Sequence, residues 1–224
     1  AENDATTVIS GAELLANDTD PNPEDILTVT QVGESAIGAS VMLTNHQVTY
    51  EIGDSYQYLA QGESVADYFT YTVSDDKAAT DQGLVDITIV GVNDIPVVED
   101  DSSSVIEDIS PFVTGNALDN DYDIDTSDIL SIVQSGQTTS QYGTFDIAAN
   151  GDYSYQLHNA DLAVQSLGRE TQVTDAFSYS ITDDIVEVET GLTVTVNGIN
   201  DAPEVAIPLA DQDVTFHKPF SFTL

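Results

Sequence analysis

The stretches DYFTYTVSDD at 67–76 and DAFSYSITDD at 175–184 decide the fold. In the first, Phe69, Tyr71 and Val73 alternate with threonines; in the second, Phe177, Tyr179 and Ile181 alternate with serines. An apolar period of two is that of a half-buried strand, not of a helix. A second strand of the same period follows each one: Val85, Ile87 and Ile89, then Leu192, Val194 and Val196. Such segments recur between Gly, Asn and Asp clusters along the chain. They predict an all-β protein of tandem antiparallel β-sandwiches, immunoglobulin- or cadherin-like. A helical turn is expected only around 160–167.

Working outward, the two strands belong to a repeat. VGVNDIP at 90–96 and NGINDAP at 197–203 put Asn93 and Asn200 107 residues apart. Asp75 and Asp183 are 108 apart, and NDTDPNPEDIL at 17–27 answers NDYDIDTSDIL at 120–130. Three blocks in one order and nearly one register define two homologous units. The expected boundaries are 1–94, 95–201 and a third piece, 202–224, too short to bury a core and read as the initial strands of another domain, truncated or split. The first unit is shorter at its front, so an abbreviated first strand is expected there.

The 224 residues carry 40 Asp plus Glu against 3 Lys plus Arg, a formal net charge of -37. Such a surface repels nucleic acid and anionic lipid. Its self-repulsion calls for bound divalent cations or high salt. The absence of Cys removes disulfides, thiolate nucleophiles and soft-metal sites. No apolar run is long enough to span a bilayer and no secretion signal opens the sequence, so a piece of a larger chain is expected.

Calcium takes six to eight hard oxygens from flexible loops, which Asp and Asn spaced two apart supply. Asp18 and Asp20, and again Asp121, Asp123 and Asp125, have that spacing. Strand parity returns the loop after the second strand and the corner before the last strand to the end where the linker enters. The central joint should therefore gather Asn93, Asp94, Asp100, Asp101, Asp121, Asp123, Asp183 and Asp184. Asn3, Asp4, Asp18, Asp20, Asp75 and Asp76 should serve the preceding joint. Asp86, Asp146 and Asp161 fall outside these clusters and fit a solvating role.

The second unit resembles the VCBS-type, cadherin-like repeats of bacterial RTX adhesins. The matching residues are GTFDIAANGDYSYQL at 143–157, AVQSL at 163–167, the 177–184 strand and the closing GINDAP. The first unit keeps the NDTD loop, the FTYTVSDD strand and GVNDIP but has TNHQVTYEI in place of the NGDYSY block, as a diverged cadherin-like sister would. The last segment, PLADQDVTFHKPFSFTL, resembles the opening of a dystroglycan-type cadherin-like domain. LAQGESVADYF at 59–69 resembles the acidic turn before the penultimate cadherin strand, which implies Glu63 and Asp67 as further ligands of the central joint. By repetition, Glu170 and Asp175 with Asn200 and Asp201 would serve the next joint.

The resemblance implies a calcium-stiffened stalk of a secreted Gram-negative surface adhesin. Its partners would be neighbouring repeats of the same chain, with glycan or protein gripped by other domains, and it would be monomeric, without membrane insertion. The rival reading is a module that itself binds carbohydrate or protein, with Tyr56, Tyr58, Tyr122 and Tyr142 as stacking groups outside the core alternation. His46, His158 and His217 show no metal spacing, and no GxSxG elbow is present. Paired carboxylates can run glycoside hydrolysis, but here the repeats account for them. The expectation is that the chain is not an enzyme.

Overall fold

The computed structural model describes residues 6–203. The first unit contains β1 (Thr6–Ser10), α1 (Gly11–Leu14), β2 (Thr28–Val32), β3 (Ser40–Thr44), β4 (Gln47–Glu51), β5 (Ser64–Ser74) and β6 (Thr80–Val90). Its sheets run β1-β4-β3 and β2-β5-β6. Between them lie Val48, Tyr50, Phe69, Tyr71 and Ile89, all buried. Helix α1 was not expected. SGAE is a capping box: the Ser10 hydroxyl accepts the Glu13 N–H at 3.2 Å, and the Glu13 carboxylate accepts the Ser10 N–H at 2.8 Å. Asn45 and His46, with φ of 51° and 63°, make the two-residue β3–β4 turn, whose left-handed backbone matches the twist of the strands.

The second unit contains β7 (Asp101–Ile106), β8 (Phe112–Asn116), β9 (Ser131–Ile132), β10 (Gly136–Thr139), β11 (Gly143–Ile147), β12 (Asp152–Leu157), α2 (Leu162–Gln165), β13 (Gln172–Thr182) and β14 (Glu187–Asn197). The sheets run β10-β11-β12-β8 and β7-β14-β13-β9. Phe145, Tyr155, Phe177, Ile181, Leu192, Val194 and Val196 fill the space between them. Phe145 and Phe177 stack with centroids 4.8 Å apart. The helical turn expected around 160–167 is α2.

Register makes the two units comparable residue by residue. Phe69 faces Val85 across the β5–β6 pair as Phe177 faces Leu192 across β13–β14. The second unit adds β7, which runs parallel to β14 and covers its outer edge. Among the described residues nothing pairs with the corresponding edge of β6.

Each unit hands over to its linker through a glycine that no other residue can replace without movement. A Cβ on Gly91 would lie 2.3 Å from the carbonyl oxygens of both Leu59 and Ala60, and one on Gly198 would lie 2.5 Å from that of Leu167. The Gly91 N–H donates to Glu63 O, and the Gly198 N–H to Thr171 O. The linker is thereby held against the turn that precedes β5 or β13.

Candidate metal centre

The linker after β6 runs straight into the acidic loops of the second unit. The Asn93 side-chain amide donates to the Asp183 carboxylate at 2.9 Å, and the Asp94 N–H donates to Asp125 Oδ2 at 2.7 Å. Asp123 Oδ1 accepts the Asp125 N–H, and Asp183 Oδ1 accepts the Ile185 and Val186 N–H groups. Glu63 is fixed by the Ala60 N–H at 3.1 Å, and its charge acts on Asp128. The Thr126 N–H donates to Tyr58 O at 3.3 Å, a direct backbone link between the units. The joint thus brings together Glu63, Asn93, Asp94, Asp123, Asp125, Asp128 and Asp183.

Several oxygens there are buried and accept no hydrogen bond: Asn93 Oδ1, Asp123 Oδ2, Asp125 Oδ1 and Asp128 Oδ2, with Asp121 Oδ2 beside them. Asp125 is 0% exposed. Burial, and then the charges of Asp94, Asp123 and Asp128, push its carboxyl up to about 6 against the opposing Asp94 N–H bond. Burial, followed by the charges of Asp123, Asp183, Glu63 and Asp184, raises Asp128 in the same way. Asp183 goes the other direction: burial is outweighed by the Val186 N–H, the Asn93 amide and the Ile185 N–H. Among the described residues no Lys or Arg forms an ion pair with these acids. Unpaired buried carboxylate oxygens are costly unless a positive charge answers them. A set of hard oxygens whose lone pairs accept no hydrogen bond fits a calcium ion.

The first unit carries a tighter acid group at its own front, with a closeness that no three of the described carboxylates at the joint share. The carboxylate oxygens of Asp20, Asp25 and Asp75 lie within 4.8 Å of one another. In the aligned loops these positions correspond to Asp123, Asp128 and Asp183. Here a protein cation intervenes. Lys77 Nζ is 2.5 Å from Asp76 and 3.6 Å from Asp25, whereas the second unit has Ile185 at the matching position. Asp18 accepts the Tyr71 hydroxyl at 2.9 Å. Asn3 and Asp4, expected at this end, lie outside the described residues, as does nearly all of the expected third piece.

At the far end of the second unit the Asn200 amide donates to Asp201 O, as the Asn93 amide donates to Asp94 O. Sequence reasoning missed Glu107, which is 0% exposed, accepts the Ile199 N–H at 3.2 Å and leaves Oε1 buried without a hydrogen-bond partner. Burial raises its carboxyl, and the charges of Asp201 and Asp108 add to the rise. Glu170 is not the counterpart of Glu63. The shared bond from the linker glycine makes Thr171 that counterpart, and Glu170 takes the left-handed site of Gly62, with φ of 71° against 93°.

Two expected ligands are committed elsewhere. Asp67 is buried in β5, where Oδ2 accepts the Ser35 and Tyr50 hydroxyls, each at 2.6 Å, and Oδ1 accepts the Ile37 and Tyr68 N–H groups. Burial opposes ionisation there, but the Ser35, Tyr50, Tyr68 and Ile37 bonds outweigh it and hold the carboxyl below its usual range. Asp175 repeats the latch in β13, accepting the Ser140 and Tyr155 hydroxyls at 2.5 and 2.6 Å. Both acids tie a strand to the facing sheet and do not join the acid clusters. Asp101 accepts the Tyr179 hydroxyl at 2.5 Å and Asp100 accepts the Thr190 hydroxyl, so both anchor β7 beside the joint. Asp184 is exposed at the corner, with φ of 78°.

The ligand candidates that sequence reasoning passed over were visible as repeats. Asp25 and Asp128 are the Asp of EDIL and SDIL, in the same register of both loops. Asp125 had the right spacing but was not assigned to the joint. Glu107 shares strand parity with the buried Val105.

Two acid-lined β-sandwiches joined by a hydrogen-bonded linker define a tandem β-sandwich repeat protein. Residues 93–198 match the model of the bacterial cadherin-like domain, and residues 1–88 match that of the bacterial Ig domain. Over 227 residues the chain is 30% identical to the calcium-binding lectin RapA2 of Rhizobium johnstonii, with 86% of this chain and 91% of that protein covered. The chain belongs to the same family as that lectin. Among solved structures it is similar to human protocadherin-24 EC1-2, at 16% identity over 82% of this chain and 86% of that one, TM-score 0.42. It is also similar to the endo-fucoidan hydrolase MfFcnA4 of glycoside hydrolase family 107, at 12% identity over 87% of this chain, TM-score 0.31, and spans 26% of that enzyme. No helix of the described residues is long and apolar enough to cross a membrane.

Proposed function

We propose that the chain is a calcium-ordered adhesion module of an extracellular or surface-exposed bacterial protein, with the metal setting how one sandwich stands on the next. The observation that carries this reading is the group of buried, unpartnered oxygens on Asn93, Asp123, Asp125 and Asp128 at the joint. Glu63, Asn93, Asp94, Asp123, Asp125, Asp128 and Asp183 would hold the ion. Asp20, Asp25 and Asp75 would form the site at the front, and Glu107, Asn200 and Asp201 would contribute to the one at the far end. A bound divalent ion supplies positive charge to carboxylates that otherwise repel one another. The chain's own residues then do the mechanical work, because the linker, the acidic loop and the 183–184 corner are drawn to one point.

In its finer form the module is a stalk element of a secreted adhesin of the VCBS and RTX kind. It holds a binding tip away from the cell and supports biofilm formation, with no catalytic role. Affinity of about 0.1 to 1 mM suits extracellular calcium. Solution scattering in calcium and in chelator tests the joint. The expected result is a longer maximum dimension with calcium, and superimposable curves would defeat it. A second reading is favoured by the calcium-binding lectin that this chain matches over 91% of that protein's length: the two sandwiches themselves bind a glycan. A glycan array probed in calcium separates the readings, since a pure spacer gives a blank.

A further inference from the structure

The units differ by a whole strand at the outer edge of β6. In the second unit β7 runs parallel to β14, and its Val105 is 0% exposed. In the first, nothing among the described residues pairs with β6 on that side. The front of the unit is too short to close the gap. Asn93 of the linker precedes Phe112, the start of β8, by 19 positions. Asn3, its counterpart, precedes Thr6 by 3, and β1 takes beside β4 the place of β8 beside β12. Three positions cannot hold a strand like β7. The edge is also unguarded: from Leu84 to Val90 it carries one charge, Asp86, and no proline, lysine or bulge, the usual devices against pairing with another chain.

This edge matches itself. Val85, Ile87 and Ile89 face the core, while Leu84, Asp86, Thr88 and Val90 face outward, Leu84 at 56% and Val90 at 50% exposure. An antiparallel copy keeps the two faces distinct only when inward residues oppose inward ones. In the register centred on Ile87, Val85 opposes Ile89 of the second copy, Asp86 opposes Thr88, and the exposed Leu84 opposes the exposed Val90. Centring on Asp86 sets two carboxylates face to face, and centring on Val85 or Thr88 sets Asp86 against Leu84 or Val90. Opposed apolar side chains stabilise a strand pair and opposed like charges weaken it, so the sequence selects the first register.

We propose that β6 pairs with β6 of a second copy, antiparallel over 84–90 and centred on Ile87, so that two three-stranded sheets become one of six. An edge this short buries less than the roughly 800 Å² per side of a standard interface. The dimer is therefore of the weak class, with dissociation at about 10–100 µM, a departure from the monomer expected from sequence. None of the residues 84–90 belongs to an acid cluster, so the pairing stands or falls apart from the calcium joint. Sedimentation of the full chain at about 0.15 M salt, which screens the repulsion of two acidic chains beyond ~8 Å, is the test. The parent should pass from monomer toward dimer between about 1 µM and 1 mM, whereas Leu84→Asp should keep the parent's circular dichroism and stay monomeric. The chain has no cysteine, so cross-linking reads the register. Leu84→Cys mixed with Val90→Cys should form the mixed disulfide at least about tenfold faster than either forms its own, because only the mixed pair stands with Cβ atoms about 5 Å apart. A parent that stays monomeric throughout the range overturns the proposal, as does a dimer that survives Leu84→Asp, or equal rates for the three disulfides. Protection of β6 amides that is the same at both ends of the range would mean that the edge is closed within one chain, and overturns it too.

Discussion

The two units share a register but not an edge. In the second, β7 lies along β14, and Leu192 and Val194 beneath it are 1% and 0% exposed. In the first, the described residues leave β6 uncovered, and the equivalent Val85 and Ile87 are only half-buried. The difference reaches the acids. Tyr179 donates to Asp101 at the start of β7, whereas Tyr71, with no such strand beside it among the described residues, donates to Asp18 in the acidic loop itself. One added strand therefore both seals the core and releases the loop acid, Asp121, whose Oδ2 is left without a protein donor. Completeness of the sandwich and availability of the metal oxygens are linked.

The largest expected effect separates the units by their cores. Leu192→Ala should destabilise the second unit by about 3 kcal/mol, because a fully packed position leaves a cavity. Val85→Ala should cost the first unit only about 1 kcal/mol. Denaturant unfolding of the two variants reads both numbers, and equal losses would break the comparison. Amide exchange sharpens it: β6 amides should exchange faster than those of β14.

The two latches should behave alike. Asp67→Asn and Asp175→Asn each leave a tyrosine and a serine hydroxyl facing a weaker acceptor in a buried place, a loss of about 2 kcal/mol. For Asp67 the sign with pH is set by a folded carboxyl that ionises below its usual range. Its contribution is complete above the unfolded value of about 4 and disappears as the pH falls through the folded value. Thermal melts from pH 6 to 2 should show the parent losing its advantage over Asp67→Asn. A constant difference down to pH 2 would refute the latch.

Asp125→Asn should reverse sign with calcium. Without the ion it removes an uncompensated buried charge and raises the melting temperature of the second unit. With calcium it removes a ligand and should weaken binding about tenfold. A variant less stable in both conditions would mean that Asp125 serves packing alone. The smallest effect belongs to Lys77, an exposed cation above the front cluster. Lys77→Gln should strengthen calcium binding there by about two- to threefold, less in high salt, as befits surface charge.

Much of this was legible in the sequence. Period-two alternation marked the paired strands β5, β6, β13 and β14, and the repeat located the joint residues Asn93, Asp94, Asp123 and Asp183. What failed depended on register that spacing cannot fix. Glu170 appeared to align with Glu63, yet the backbone puts Thr171 there, so a one-residue slip carried the side chain away. Asp67 was implied as a ligand by the resemblance of its turn and Asp175 by repetition, but their strand parity points them inward to Tyr50 and Tyr155. The short helix α1 was hidden because its capping box, SGAE, is only four residues long.

The most direct test is a crystal structure of the chain grown in calcium. The account predicts a metal at the joint with its ligands about 2.3–2.6 Å away, contributed by Asn93 Oδ1 and by Asp123, Asp125 and Asp128. The same oxygens bonded only to water or to protein donors, in crystals saturated with calcium, would contradict it.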